Sequence, residues 1–338
     1  MENTPALEDS GGDELPPSDD HPFQYTLYST RTDRLIWFFM AFTLAPVKLF
    51  LVGLFFGLAW IPSRIAVIGL PLLPDKPLSG WRIVLKDLTM FFVRLAGYSA
   101  GLLKQTVKGR QASAKEAPVI IMAPHSSSLD TLGPLAHSII GFPGAVSSIE
   151  NAHLPVIGAI FRASQCIFVE RKDPNSRSKA AQQIKDRVES GGEWPQIIIF
   201  PEGFCSNGRY LLPFKVGVSV QPMSVTFNNR LDVSSWIDTG PGLVAIWSLL
   251  LCTPISSMTV EWHPVYHPSE EEKKDPQLYA TNVRKTMSRY LKLPTSDMTY
   301  SDLKDIVKQT KPDASLFALW KNIITKGFVE MPAKKHLY

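Results

Sequence analysis

The stretch "APHSSSLDTLG", Ala123 to Gly133, holds one histidine and one aspartate five residues apart, with Ser126, Ser127 and Ser128 between them. An imidazole held by a carboxylate keeps one tautomer, and it can take a proton from an alcohol. His125 follows the apolar run Val119 to Met122 and then Pro124. That order puts it at the carboxyl end of a strand, where open α/β sheets build their sites. Five residues turn about 500° in a continuous helix, so His125 and Asp130 meet only if the histidine lies in the loop and the aspartate in the first helical turn. The serines fit as caps of a helix beginning near Leu129.

Two more strand ends carry reactive side chains. "IIIFPEGFCSNGR" sets Glu202 and Gly203 directly after a buried strand, and "CIFVERKDPNSR" sets Arg171 and Lys172 after another. A base, an acid with a glycine turn, and cations would then share one edge of one sheet. Rival nucleophiles exist. "GYSAG", Gly97 to Gly101, spells the G-x-S-x-G elbow of a serine hydrolase using Ser99. An elbow needs a strand before it and a helix after it, whereas residues 81–96 read as a helix carrying basic residues. Cys205 as an acyl-carrying thiol would need an activating base, and it reads instead as a packed or incidental thiol. The seven histidines show no metal-ligand spacing, so no metal and no cofactor are expected.

The elements that must position these residues follow from the hydropathy pattern. Six apolar runs read as strands: residues 119–122, 145–149, 166–169, 196–200, 218–225 and 258–262. Helical stretches alternate with them, among them residues 176–190, capped at Asn175 or Ser176 and stopped by Gly191 and Gly192. Such alternation predicts an α/β fold, a mixed and largely parallel sheet layered with helices. The catalytic domain is expected over 118–305, with a C-terminal helical tail over 306–338.

Ahead of it lies "LIWFFMAFTLAPVKLFLVGLFFGLAWIP", residues 35–62, with Lys48 as its one charge and Pro46 near its middle. About twenty apolar residues cross a bilayer, so 31–75 reads as a membrane-embedded helical segment, either one kinked span or a hairpin returning to the same leaflet. Residues 76–117 hold "WRIVLKDLTMFFVRLAG", which fits an amphipathic helix on a membrane surface or a core helix. "GLVAIWSLLLCTP", 242–254, is too short to span and fits core or a surface where acyl chains enter. Basic residues after the apolar segment put the catalytic body on the cytosolic side.

Residues 1–30, rich in Pro, Gly, Ser and acids, read as a disordered tail without the basic start or cleavage site of a secretory signal. This tail holds seven of the 31 acids and no Lys or Arg, which leaves 24 acids against 35 bases, or +11, on the rest of the chain. A body of that sign suits anionic partners such as phosphates or acidic lipids. Cys166, Cys205 and Cys252 are odd in number and widely spaced, so no disulfide framework follows.

Four ordered blocks resemble the glycerolipid acyltransferase family, which acylates lysophospholipids and 1-acylglycerol-3-phosphate. "HSSSLD" matches the family's H-x-x-x-x-D, "IFVERKD" is similar to its second block, "FPEGFCSN" to its third and "VQPMSV", with Pro222, to its fourth. "PVYHPSEEEKKDPQLYATNVR" resembles the lysophosphatidylcholine acyltransferase branch in particular. The resemblance implies transfer of a fatty acyl chain from acyl-CoA to a lysophospholipid hydroxyl, at a lipid bilayer on the cytosolic face of the endoplasmic reticulum. It assigns proton abstraction to His125 and its orientation to Asp130. Arg171, Glu202, Gly203 and Pro222 would bind the acceptor, with no acyl-enzyme, no metal and no nucleic acid. Glycerol 3-phosphate or lysophosphatidic acid are alternative acceptors. Phe204 stands where the family usually has Thr, and no D-x-[DN]-x-[DN]-G loop suggests calcium control.

Overall fold

The structure, a computed structural model, describes residues 21–170, 173–214, 219–310 and 313–331. In chain order the first part holds β1 (Tyr25–Tyr28), α1 (Arg31–Phe42), α2 (Leu44–Ala66) and α3 (Trp81–Ala100). There follow β2 (Lys104–Lys108), β3 (Val119–Met122), α4 (Gly133–His137), β4 (Gly144–Ser148), α5 (Ile149–Ala152), α6 (Ile157–Ala163), β5 (Ile167–Val169) and α7 (Pro174–Glu189). The last part holds β6 (Ile197–Ile199), β7 (Val220–Phe227), α8 (Leu243–Cys252), β8 (Ser257–Trp262), α9 (Pro276–Leu291), α10 (Tyr300–Thr310), α11 (Leu316–Lys326) and β9 (Phe328–Met331).

Seven strands form one sheet in the order β2-β8-β7-β3-β6-β4-β5, parallel throughout except between β7 and β8. β3 lies in the middle with all four residues buried, because helices cover both faces. Val119 and Ile121 pack against Tyr279, Val283 and Met287 of α9 on one face. Ile120 and Met122 pack with Met223, Val260 and Trp262 on the other. All six expected strands are present. β2 was not expected: "KQTVK" alternates exposure on an edge strand and has no apolar run to reveal it. The sheet therefore begins at Lys104 rather than after residue 117.

The ends of the described chain close on each other. β1 pairs antiparallel with β9, from Tyr25 opposite Met331 to Tyr28 opposite Phe328. Residues 21–30 are thus not part of a disordered tail, since Phe23, Tyr25 and Leu27 are buried in the largest core cluster. Their Pro- and Asp-rich surroundings hid a short strand that only a partner 300 residues away could complete. The C-terminal stretch is likewise packed, with Leu303, Ile306, Leu319 and Ile323 in the same cluster.

The long apolar segment is not interrupted at Pro46 or Lys48. It breaks at Thr43, and α2 then runs unbroken through Pro46 and Lys48. Pro46 sits in the first turn, where a missing N–H costs nothing. Lys48 is buried and donates to the carbonyls of Thr253 and Pro254, 2.6 and 3.0 Å away, at the carboxyl end of α8. Its charge thereby satisfies orphan carbonyls and docks α2 on the sheet domain. α2 and α3 pack along one another as a hairpin, with Arg82 donating to the carbonyls of Ala66 and Ile68 at the turn. α3 is thus half of the hairpin. α8 is core, with Ile246, Leu249 and Leu250 buried.

Two local expectations are corrected. α7 is capped by Asp173, whose carboxylate accepts from the Asn175 N–H, with Pro174 opening the helix. Ser99 lies near the end of α3, whose cap is Gly101 at φ 111°. A helix precedes it and no strand does, so the G-x-S-x-G run is not a nucleophile elbow.

Candidate active site

His125 lies in the loop after β3, and Asp130 opens a short 3-10 turn ahead of α4. This is the arrangement the spacing required. Asp130 Oδ2 lies 2.9 Å from His125 Nδ1, and it also accepts from the backbone N–H groups of Ser126 and Ser127, each at 2.9 Å. The Asp130 side chain is 0% exposed and that of His125 16%. The aspartate, not the serines, organises this turn. Ser127 contributes one short-range bond, its Oγ accepting from the Leu129 N–H. A carboxylate facing Nδ1 places the proton there and leaves Nε2 as the basic nitrogen.

The ring is fixed from a second side. Phe200 stacks on the imidazole with centroids 3.8 Å apart and planes 26° from parallel. The sequence offered Phe200 only as the end of a buried strand, and nothing in its spacing marks it as the histidine's neighbour. β6 adjoins β3, and that adjacency brings them together.

Glu202 follows on the β6 side and is 3% exposed. Its Oε2 accepts from the His125 N–H at 3.2 Å and its Oε1 from the Leu212 N–H at 3.1 Å, so the carboxyl group braces the histidine loop against residues 211–212. Burial pushes its pKa up to about 8, against the pull of those two donors. Gly203 closes the turn with its N–H on the Phe200 carbonyl, 3.1 Å, and has φ 80°. Open space surrounds it, so the backbone angle rather than crowding calls for glycine.

Pro222 is buried inside β7 opposite Ile121, short of the strand's carboxyl end, and its carbonyl accepts from the His263 N–H at 3.0 Å. Arg171 and Lys172 lie outside the described residues. β5, which leads to them, is separated from β6 by β4. Cys205 is half-buried. Phe204 rests between the rings of Phe23 and Tyr300, 5.7 and 5.4 Å away, and so packs on the core that joins β1 to α10.

The chain is similar in sequence to known proteins. The family model described as Acyltransferase matches residues 104–223, which begin at β2 and include β3, β6 and the start of β7. Lysophospholipid acyltransferase LPCAT4 of Homo sapiens is 38% identical over 292 residues, covering 84% of this chain and 55% of that protein. Lysophosphatidylcholine acyltransferase 2B of Rattus norvegicus is 35% identical over 330 residues, covering 92% of this chain and 63% of that one. The chain spans between about half and two thirds of the length of these curated relatives. The crystal structure of the 1-acyl-sn-glycerophosphate acyltransferase PlsC from Thermotoga maritima aligns with TM-score 0.47 at 18% identity, over 77% of this chain and 100% of that one. Residues 104–223 belong to the acyltransferase family, within a chain most of which is similar to lysophospholipid acyltransferases.

Proposed function

We propose that the chain transfers a fatty acyl group from acyl-CoA to a free hydroxyl of a lysophospholipid, with His125 as general base. The observation that carries this reading is the pair of His125 Nδ1 and a fully buried Asp130 at 2.9 Å, on the carboxyl edge of the sheet. Nε2 takes the proton of the acceptor hydroxyl as its oxygen attacks the thioester carbonyl. A C–O bond forms, the C–S bond breaks, and the departing CoA sulfur receives the proton from the imidazolium. Asp130 stabilises the imidazolium in between, and Phe200 keeps the ring from turning. The attack is direct, so neither Ser99 nor Cys205 carries the acyl group. Arg171, Glu202, Gly203 and Pro222 are proposed to serve acceptor binding, Glu202 by holding the loop that bears His125.

The reading includes attachment to a bilayer. α2 is long and apolar enough to cross a membrane, and Leu44, Val47, Leu49, Phe50, Leu54 and Ile61 on it are exposed. α1 adds Phe38, Phe39 and Phe42. α11 lies beside α1 through the Trp37–Trp320 contact and the Arg34 bond to the Ile324 carbonyl, and it adds Phe317 and Ile324. Apolar surface of this extent suits lipid. The hairpin of α2 and α3 enters and leaves on the side of the sheet domain, which faces the cytosol at the endoplasmic reticulum in this proposal. The test is release of CoA by the purified full chain from a panel of acyl-CoAs with lysophospholipids, glycerol 3-phosphate and lysophosphatidic acid. Turnover with lysophosphatidylcholine or another lysophospholipid bearing a headgroup supports the reading, and turnover confined to glycerol 3-phosphate or lysophosphatidic acid replaces it.

A further inference from the structure

His125 is gripped through its backbone as well as its ring. Its N–H donates to Glu202 Oε2 at 3.2 Å and its carbonyl accepts from the Ser206 N–H at 2.8 Å, so one loop holds the histidine peptide from both ends. Residues 201–210 of that loop form no helix or strand. Ser206 is buried, and Gly208, at φ 75°, passes so close to the histidine loop that a Cβ there would lie 3.1 Å from Ser126 Cβ. Where this loop sits decides where the imidazole sits.

Asn207 ties the loop to the start of the described chain. Its N–H donates to the Pro22 carbonyl at 2.9 Å, and its Nδ2 donates to the carbonyls of His21 and Gln24 at 2.9 and 3.2 Å. Its Oδ1 accepts from the Arg209 N–H at 3.1 Å, within the loop itself. The arm formed by residues 21–24 is firmly seated. Phe23 is 0% exposed in the largest core cluster, its carbonyl accepts from Thr239 Oγ1, and its N–H donates to His21 Nδ1 at 3.1 Å. Beyond the arm, the Tyr25 hydroxyl donates to the Asp232 carbonyl at 3.0 Å and β1 pairs with β9. The arm lies well ahead of residues 104–223, which the family model matches, yet it reaches the histidine peptide through only Asn207 and Ser206.

We propose that Asn207 is a positioning residue for His125, locking the loop that holds the histidine peptide onto the arm of residues 21–24. An asparagine suits this place because its NH2 serves two carbonyls while its oxygen serves an N–H. Aspartate keeps the acceptor and loses both donors. Proton transfer needs the base within hydrogen-bond reach of the hydroxyl, and a misplacement of about 1 Å costs about a hundredfold in rate. A loop without secondary structure of its own keeps that tolerance through such ties. The rate consequence rests on the acyl-transfer reading, whereas the placement of His125 does not.

The experiment compares the full chain in detergent with Asn207→Ala, Asn207→Asp and, from the arm's side, His21→Ala, all checked by thermal melting. Asn207→Ala and Asn207→Asp should each lower kcat about ten- to hundredfold while leaving KM for both substrates within about threefold. His21→Ala, which loosens the arm's turn, should lower kcat in the same sense by less, and with Asn207→Asp it decides the matter if Asn207→Ala does not fold. An independent readout is the rate at which diethyl pyrocarbonate modifies His125, followed by peptide mass spectrometry. That rate should rise in the Asn207 variants as the ring leaves its seat against Phe200 and Asp130. Folded Asn207 variants with kcat and the modification rate unchanged overturn the proposal, even if Tm falls. So does a rise in KM for one substrate at constant kcat, which would make Asn207 a binding residue. Absence of turnover by the unaltered chain sinks the acyl-transfer reading instead, and the modification rates then decide by themselves whether Asn207 positions His125.

Discussion

Replacing Asp130 by Asn keeps the shape of the side chain and removes its charge, and the structure sets what that costs. One oxygen, Oδ2, serves three donors at 2.9 Å: His125 Nδ1 and the N–H groups of Ser126 and Ser127. The asparagine carbonyl can keep the two backbone donors, so the turn survives. What is lost is the charged partner of the imidazolium in a site with 0% exposure of the aspartate. A hydrogen bond to a charged group contributes about 1.5–3 kcal/mol, roughly ten- to hundredfold in rate. If the amide instead turns its NH2 to Nδ1, the imidazole proton moves to Nε2 and the base is lost, which brings the total to about 10²–10⁴. The assay is kcat for CoA release with a saturating lysophospholipid, beside thermal melting of the same preparation. A well-folded Asp130→Asn chain with kcat within about threefold of the unaltered protein refutes the reasoning.

Three further outcomes are expected. Glu202 has its pKa raised to about 8 from an ordinary 4.5, so between those values the folded chain binds a proton that the unfolded chain does not. Stability should therefore fall as pH rises through that window, by about 5 kcal/mol in all, and Glu202→Gln should flatten the decline in melts run from about pH 5 to 8; parallel curves would show that the buried carboxyl does not titrate there. Lys48→Met leaves the Thr253 and Pro254 carbonyls without their donor, which should cost about 1–3 kcal/mol and lower Tm by a few degrees; an unchanged Tm would mean that α2 docks without it. Phe204→Thr, a change toward the usual family residue, should destabilise by about 1–3 kcal/mol because it empties the seat between Phe23 and Tyr300, and melting at or above the original Tm would contradict this packing role.

The sheet and the histidine pair were legible because each has a local signature. Buried parallel strands read as unbroken apolar runs, and five residues from His125 to Asp130 allow only a loop-then-turn geometry. Contacts made across long separations were not legible. β1 needs β9, Arg230 finds Asp33 197 residues away, and Lys48 finds its carbonyls 205 and 206 residues on. Lys48 shows how such blindness misleads: as a charge in an apolar run it reads as an interruption of a membrane helix, while in the fold it is a buried peg. Glu202 also changes character. The motif marks it as a residue for substrate, and in three dimensions both its oxygens accept from backbone N–H groups, one of them that of His125.

The central claim, proton abstraction by His125 from a substrate hydroxyl, is tested most directly by the initial rate of CoA release from acyl-CoA and lysophospholipid in His125→Ala, with Ser99→Ala measured in parallel and both checked for folding by thermal melting. The account predicts a loss of about two to four orders of magnitude in His125→Ala and retention of most activity in Ser99→Ala. A folded His125→Ala chain that still turns over, beside an inactive Ser99→Ala chain, would contradict it.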